Sequence, residues 1–155
     1  MNPKLNKKYS VLFSSDCRYY IITGGRGSGK SYAVTVFLTL LTMAQGIRVL
    51  FTRYTMVSAH LSIIPEFLEK IGLLGYDSIF SINKSDEAEE LVDENIFDTI
   101  DLSIREKNIQ NRIILILNPT TKEHWIYKRF FEDKGIQAGF NGIKDNVCYI
   151  HSTYL

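Results

Sequence analysis

The sequence predicts an α/β fold: a parallel sheet flanked by helices, with its ligand site at the carboxyl ends of the strands. Two observations carry that expectation. Apolar strand-like runs alternate with helical stretches along the 155 residues. A glycine-rich loop, Gly24–Ser31, joins the first of those runs to the first helical one.

Each element has its own signal. The first ten residues, with Lys4, Lys7 and Lys8, read as a loose basic lead-in. Strands are expected at Tyr19–Thr23, Arg48–Thr52, Ile113–Leu117 and Val147–His151, all rich in Ile, Val, Leu or Tyr. The run Ile113–Leu117 is dense enough to read as a central strand. Ser31–Ala44 is apolar on nearly every side, as for a helix buried against a sheet, and Gly46 is placed to stop it. Leu61, Ile64, Leu68 and Ile71 sit at helical spacing, with Pro65 expected to kink or restart the helix. Val92, Ile96, Ile100 and Ile104 recur every fourth residue and give an acidic helix one apolar face. A last helix is expected through Thr121–Phe131. There Trp125, Tyr127, Phe130 and Phe131 lie at helical spacing and read as core before they read as a base-stacking surface.

Composition narrows the class. The length suits one domain. A hydrophobic content of 45% and a charged content of 23% are those of an ordinary globular protein. A formal net charge of +1 leaves nonspecific nucleic-acid or membrane binding to local patches. Cys17 and Cys148 are too few for a disulfide framework and lack metal-ligand spacing, so buried thiols in a reducing compartment are expected. The densest apolar run, Val34–Leu41, is broken by threonines and too short to span a bilayer. A cytoplasmic protein with no membrane partner is the expectation.

Gly24-Gly25-Arg26-Gly27-Ser28-Gly29-Lys30-Ser31 fits the phosphate-binding loop pattern G-x-x-x-x-G-K-[ST] at every fixed position. Chemistry explains the residue types. Glycines allow the tight turn and aim backbone N–H groups at a phosphate chain, Lys30 reaches the β and γ phosphates, and the Ser31 hydroxyl can ligate Mg²⁺. The helix that follows adds the partial positive charge of its N-terminus. A nucleoside triphosphate is the expected ligand.

Two further segments bear on the chemistry. Asp86-Glu87-Ala88-Glu89-Glu90 offers adjacent carboxylates, one able to hold Mg²⁺ through its water shell and the next to orient an attacking water. A solvated acidic helix start, favoured by the helix dipole, explains the same residues. Asn118-Pro119-Thr120-Thr121 follows the run Ile113–Leu117 and would emerge beside the γ-phosphate; the same residues also form a turn and a helix cap.

In order, these pieces resemble the ATPase domain of phage terminase large subunits, the DNA-packaging motors, particularly the prophage type. The likeness rests on Tyr19–Ser31 (YYIITGGRGSGKS), Asp86–Leu91 (DEAEEL) and Ile114–Phe131 (ILILNPTTKEHWIYKRFF), and covers almost the whole chain. His151–Leu155 is similar to the segment leading out of that domain. The resemblance implies a RecA-like P-loop NTPase fold over residues 1–155, using ATP and Mg²⁺. It implies nucleotide contacts from Gly24, Gly25, Arg26, Gly27, Ser28, Gly29, Lys30 and Ser31, and Mg²⁺ held by Ser31 and Asp86. Glu87 would be the catalytic carboxylate, and Asn118, Pro119 and Thr120 the motif coupling hydrolysis to DNA movement. Arg26 is a candidate charge-stabilising arginine or a solvated loop residue; Arg53 is a weaker candidate that reads as structural. The implied partners are double-stranded DNA, a homo-oligomeric ring seated on a portal protein, and a small terminase subunit, in the cytoplasm of a bacterial host.

The chain departs from the family in two places. The family carries a nuclease domain after its ATPase domain, and the resemblance stops where that domain would begin, so no nuclease activity is assigned to these residues. Between Ile82 and Asp86 the chain also lacks the apolar strand expected before the acidic pair, so that Asn83-Lys84-Ser85 reads as a junction. Two alternatives therefore stand beside the packaging motor: an inactive, nucleotide-holding prophage remnant, and a small kinase, for which no arginine-rich lid is visible.

Overall fold

A computed structural model of the chain describes residues 4–50, 64–79, 93–117 and 124–153. These residues are α/β, with a mixed four-stranded sheet. Two compact units share the chain: one comprises Leu5–Ala33 and Ile100–Leu155, the other Val34–Thr99 with Met1–Lys4.

The first unit holds the sheet. Its strands are β1 (Tyr19–Gly24), β2 (Ile113–Leu117), β3 (Gly142–Lys144) and β4 (Val147–Ser152), in the order β2-β1-β4-β3. β1 runs parallel to both neighbours, with Thr23 opposite Leu117 on one side and His151 on the other. Three of the four expected strands are therefore present. The parallel expectation needs correction at one edge, where β3 pairs antiparallel with β4. The cause is a two-residue turn, Asp145-Asn146, with Asp145 in the left-handed region at φ 53°. Arg48–Leu50 is not strand, and Phe51 and Thr52 lie outside the described residues.

Burial separates the strands. Tyr20, Ile21 and Ile22 of β1, like Val147 to Ile150 of β4, are almost wholly inaccessible to solvent, as expected of strands covered on both faces. β2 was expected to be central. Among the described residues it lies at the sheet edge, and Ile116 is exposed. Density of aliphatic residues signals a parallel strand without giving its place in the order.

The entry to β1 is fastened from three sides. Asn146 accepts the Arg18 N–H through its side chain (2.9 Å) and the Tyr19 N–H through its carbonyl (3.2 Å). The Arg18 guanidinium donates to the Asp101 carboxylate through Nε (3.1 Å) and Nη2 (2.6 Å). It also donates to the backbone carbonyls of Asp101 (2.7 Å) and Ile104 (3.0 Å), capping the helix α4 (Glu94–Ser103) where its last carbonyls lack helical partners. The Tyr19 hydroxyl donates to the other Asp101 oxygen. Burial alone would push the Asp101 carboxyl up, but the Tyr19 hydroxyl and Arg18, with the charge of Arg129, outweigh it and hold the group below its ordinary range.

The expected last helix is shorter and of two kinds. α5 (Trp125–Tyr127) passes into a π-helical turn, Lys128–Glu132, while residues 121–123 lie outside the described residues. Of the four aromatics expected as core, Phe130 and Phe131 are buried, with Ile126, while Trp125 and Tyr127 are half-buried, Tyr127 stacked on Phe131; the Tyr149 hydroxyl donates to the Phe130 carbonyl. The basic lead-in is also more ordered than its charge suggests. Lys7–Ser10 forms a 3-10 turn that buries Tyr9, leading into α1 (Val11–Ser14).

In the second unit, the helix α2 (Lys30–Gln45), which starts in the first, is buried on every side from Val34 to Thr39. Gly46 stops it as expected, at φ 63° with its N–H on the Thr42 carbonyl (2.7 Å). α3 (Ile64–Leu73) carries Pro65 in its first turn, where no N–H is needed; residues 61–63, on which the choice between a kink and a restart depends, lie outside the described residues. It buries Phe67 and Ile71 and leaves Leu68 exposed. α4 likewise buries Phe97, with Ile96 half-buried; Val92 lies outside the described residues.

Candidate functional site

The Gly24–Ser31 loop sits at the carboxyl end of β1, a central strand of the described sheet, and runs straight into α2. Its conformation follows from its glycines. Gly24, Gly27 and Gly29 have φ of 148°, 74° and 80°. Those values are open to glycine and strained for other residues. Gly24 is required twice over, because a Cβ there would lie 2.1 Å from the carbonyl oxygen of Ser152 on β4. The adjacent Gly25 has open space around it.

Lys30 closes the loop on itself. Its ammonium donates to the carbonyls of Gly24 (2.7 Å) and Gly25 (2.6 Å) and reaches the Ser28 hydroxyl (3.3 Å). Three donors thus meet three acceptors, which is what a buried ammonium requires. Burial pushes its pKa down. Ser28 forms the inner joint: its hydroxyl donates to the Gly25 carbonyl (2.8 Å), as does its N–H (3.4 Å).

Two groups from outside the motif meet the same joint. The Tyr9 hydroxyl (3.2 Å) and the Ser152 hydroxyl (3.0 Å) both donate to the Ser28 carbonyl. Neither residue is marked by the loop pattern. The one sequence signal for Tyr9 is an aromatic residue among lysines, and for Ser152 its place at the end of an apolar strand. One strand position earlier, Thr23 Oγ1 and His151 Nδ1 share a hydrogen bond (2.9 Å) across the β1–β4 pair.

Of the expected site residues, the structure brings Gly24, Gly25, Gly27, Ser28, Gly29, Lys30 and Ser31 into this one turn. Arg26 stands exposed at its tip, and Ser31 is half-buried in the first turn of α2. Asp86, Glu87, Asn118, Pro119, Thr120 and Arg53 lie outside the described residues. Chemically, the turn offers a cation, a hydroxyl and the first N–H groups of a 16-residue helix, which have no helical acceptors. Together these suit an anion with several oxygens. Among the described residues no cluster of His, Cys, Asp or Glu could hold a metal ion, and no helix is long and apolar enough to cross a membrane.

A family model described as phage terminase large subunit matches the chain over residues 16–97 and 85–155. The two stretches overlap across residues 85–97. No individual curated protein matches.

Proposed function

The chain belongs to the phage terminase large subunit family, and from that premise we propose that it is an ATP-hydrolysing motor domain that drives double-stranded DNA into a viral procapsid. The observation that carries the proposal is the Lys30 ammonium, gathered onto the Gly24 and Gly25 carbonyls at the end of a central parallel strand. In this reading residues 1–155 form a P-loop NTPase domain and Gly24–Ser31 its Walker A loop. The partners would be DNA, copies of this chain in a ring on a portal protein, and a small terminase subunit, in the cytoplasm of the bacterial host.

The residues present fit a triphosphate with Mg²⁺. A phosphate oxygen would take the place of the loop carbonyls around Lys30, relieving the ammonium of its burial among neutral acceptors. The loop N–H groups and the α2 N-terminus would hold the remaining oxygens. Ser31 would supply one hydroxyl toward the metal, a small protein share of the kind Mg²⁺ takes beside phosphate and water. When bound, the metal would neutralise charge developing on the β and γ oxygens. Asp86 would add the second protein group, Glu87 would align and deprotonate the attacking water, and Arg26 would meet γ-phosphate charge from the exposed loop tip. Asn118, Pro119 and Thr120 would pass the hydrolysis state to the DNA.

The test is phosphate release from ATP with and without double-stranded DNA, in wild type, Lys30→Ala and Glu87→Gln, with the ring assembled. The proposal requires DNA-stimulated turnover that both variants abolish, with nucleotide binding retained in Glu87→Gln. Turnover that survives Glu87→Gln would remove that residue from its role. A second reading, an inert nucleotide-holding module, is favoured by the overlap of the two matched stretches beginning at Ser85, beside Asn83-Lys84-Ser85, which reads as a junction in the sequence. Binding of ATP without turnover in the assembled ring would establish that reading instead.

A further inference from the structure

We infer that Tyr9 and Ser152 are positioning residues for the loop: their hydroxyls fix the plane of the Ser28–Gly29 peptide and thereby the direction of the Gly29 N–H. Its value for phosphate binding rests on the nucleotide reading above. Tyr9 lies 19 positions before Ser28 and Ser152 124 positions after it, yet both hydroxyls end on the same carbonyl oxygen. A carbonyl oxygen has two lone pairs, and the two donors occupy both. Tyr9 and Ser152 are 2% and 1% exposed, so water is poorly placed to substitute for either donor.

The consequence lies across the peptide bond. In a planar trans peptide the C=O and the next N–H point in opposite directions. Holding the Ser28 carbonyl toward the two hydroxyls therefore turns the Gly29 N–H away from them. That restraint matters because turning the Ser28–Gly29 peptide changes the φ of Gly29, which is already positive at 80°. On that side a glycine gives way with little steric cost. Ser152 acts twice, since its own carbonyl lies against Gly24 and leaves no room for a Cβ. One strand end thus sets both the start of the loop and its inner joint.

The experiment compares wild type, Tyr9→Phe, Ser152→Ala and the double variant, with Tyr149→Phe as control. The control removes an equally buried hydroxyl bond, to the Phe130 carbonyl, away from the loop. The order parameter of the Gly29 amide is followed by NMR relaxation without nucleotide, and ATP affinity by calorimetry. Each single variant should lower the Gly29 order parameter and weaken ATP binding about three- to tenfold, the range for one lost hydrogen bond. The control should do neither, although its thermal transition falls as far. An unchanged Gly29 order parameter in the double variant overturns the inference, as does an equal loss of affinity in Tyr149→Phe. Tyr9→Phe decides alone if Ser152→Ala does not fold. If wild type binds no ATP while the order parameter still falls, the clamp stands and the nucleotide reading falls.

Discussion

Replacing Gly24 by alanine tests how closely the loop and the end of β4 are fitted. A Cβ at Gly24 would lie 2.1 Å from the Ser152 carbonyl oxygen and 3.1 Å from its carbon, at a φ of 148°. Real Cβ contacts essentially never fall below 3.0 Å, so backbone must move. The dihedral alone costs about 1–3 kcal/mol. Forcing apart two well-packed strand ends adds about 1–3 kcal/mol. A total near 3 kcal/mol or more corresponds to a fall in Tm of about 6–12 °C for a chain of this length. Gly29→Ala, at φ 80° with open space, should cost only about 1–2 kcal/mol. Gly25→Ala, also in open space, should stay within about 0.5 kcal/mol. Denaturant unfolding of the three variants ranks them directly. If Gly24→Ala matched Gly25→Ala in stability, the close approach of Ser152 to the loop would be refuted.

Other outcomes follow from the same structure. Because Asp101 titrates below its unfolded value, its bonds to Arg18 and Tyr19 stabilise fully above about pH 4 and are lost as pH falls through the folded pKa. Asp101→Asn should therefore lower stability at pH 7 and flatten the acid limb of the stability curve; an unchanged limb would contradict the assignment. Burial pushes the Cys148 thiol up to about 11 and raises that of Cys17, so a thiol reagent at neutral pH should label both only after unfolding. Rapid labelling of the native protein would show that the sheet is less closed than described. Lys30→Asn should leave the fold standing, since the Gly25 carbonyl lies in a half-exposed part of the loop where water can replace the ammonium; circular dichroism that collapses with this change would make Lys30 a structural keystone.

The sequence was most legible where chemistry leaves little choice. The loop pattern alone located Gly24–Ser31, because close backbone approach and positive φ admit almost no residue but glycine. β1, β2 and β4 were legible from their aliphatic runs, and α2 from its unbroken apolar turns. Strand order among the described residues was not, since Ile113–Leu117 is as apolar at the edge of the described sheet as it would be in the centre. The hairpin strand Gly142–Lys144 was missed because three residues with one aliphatic side chain give no alternation to detect. Phe67 and Phe97 were passed over in favour of Leu68 and Ile96 beside them, because spacing finds a face more readily than the residue at its centre. The sequence signals at Tyr9 and Ser152 do not link either residue to the loop: their common partner, the Ser28 carbonyl, is a backbone atom that no residue pattern encodes.

The most direct measurement is the equilibrium binding of ATP with Mg²⁺ to wild type and to Lys30→Ala by calorimetry. A saturable site of one nucleotide per chain, lost in the alanine variant while the fold persists, is the result expected of this loop. Equal binding by both proteins, or none by a well-folded wild type, would contradict it.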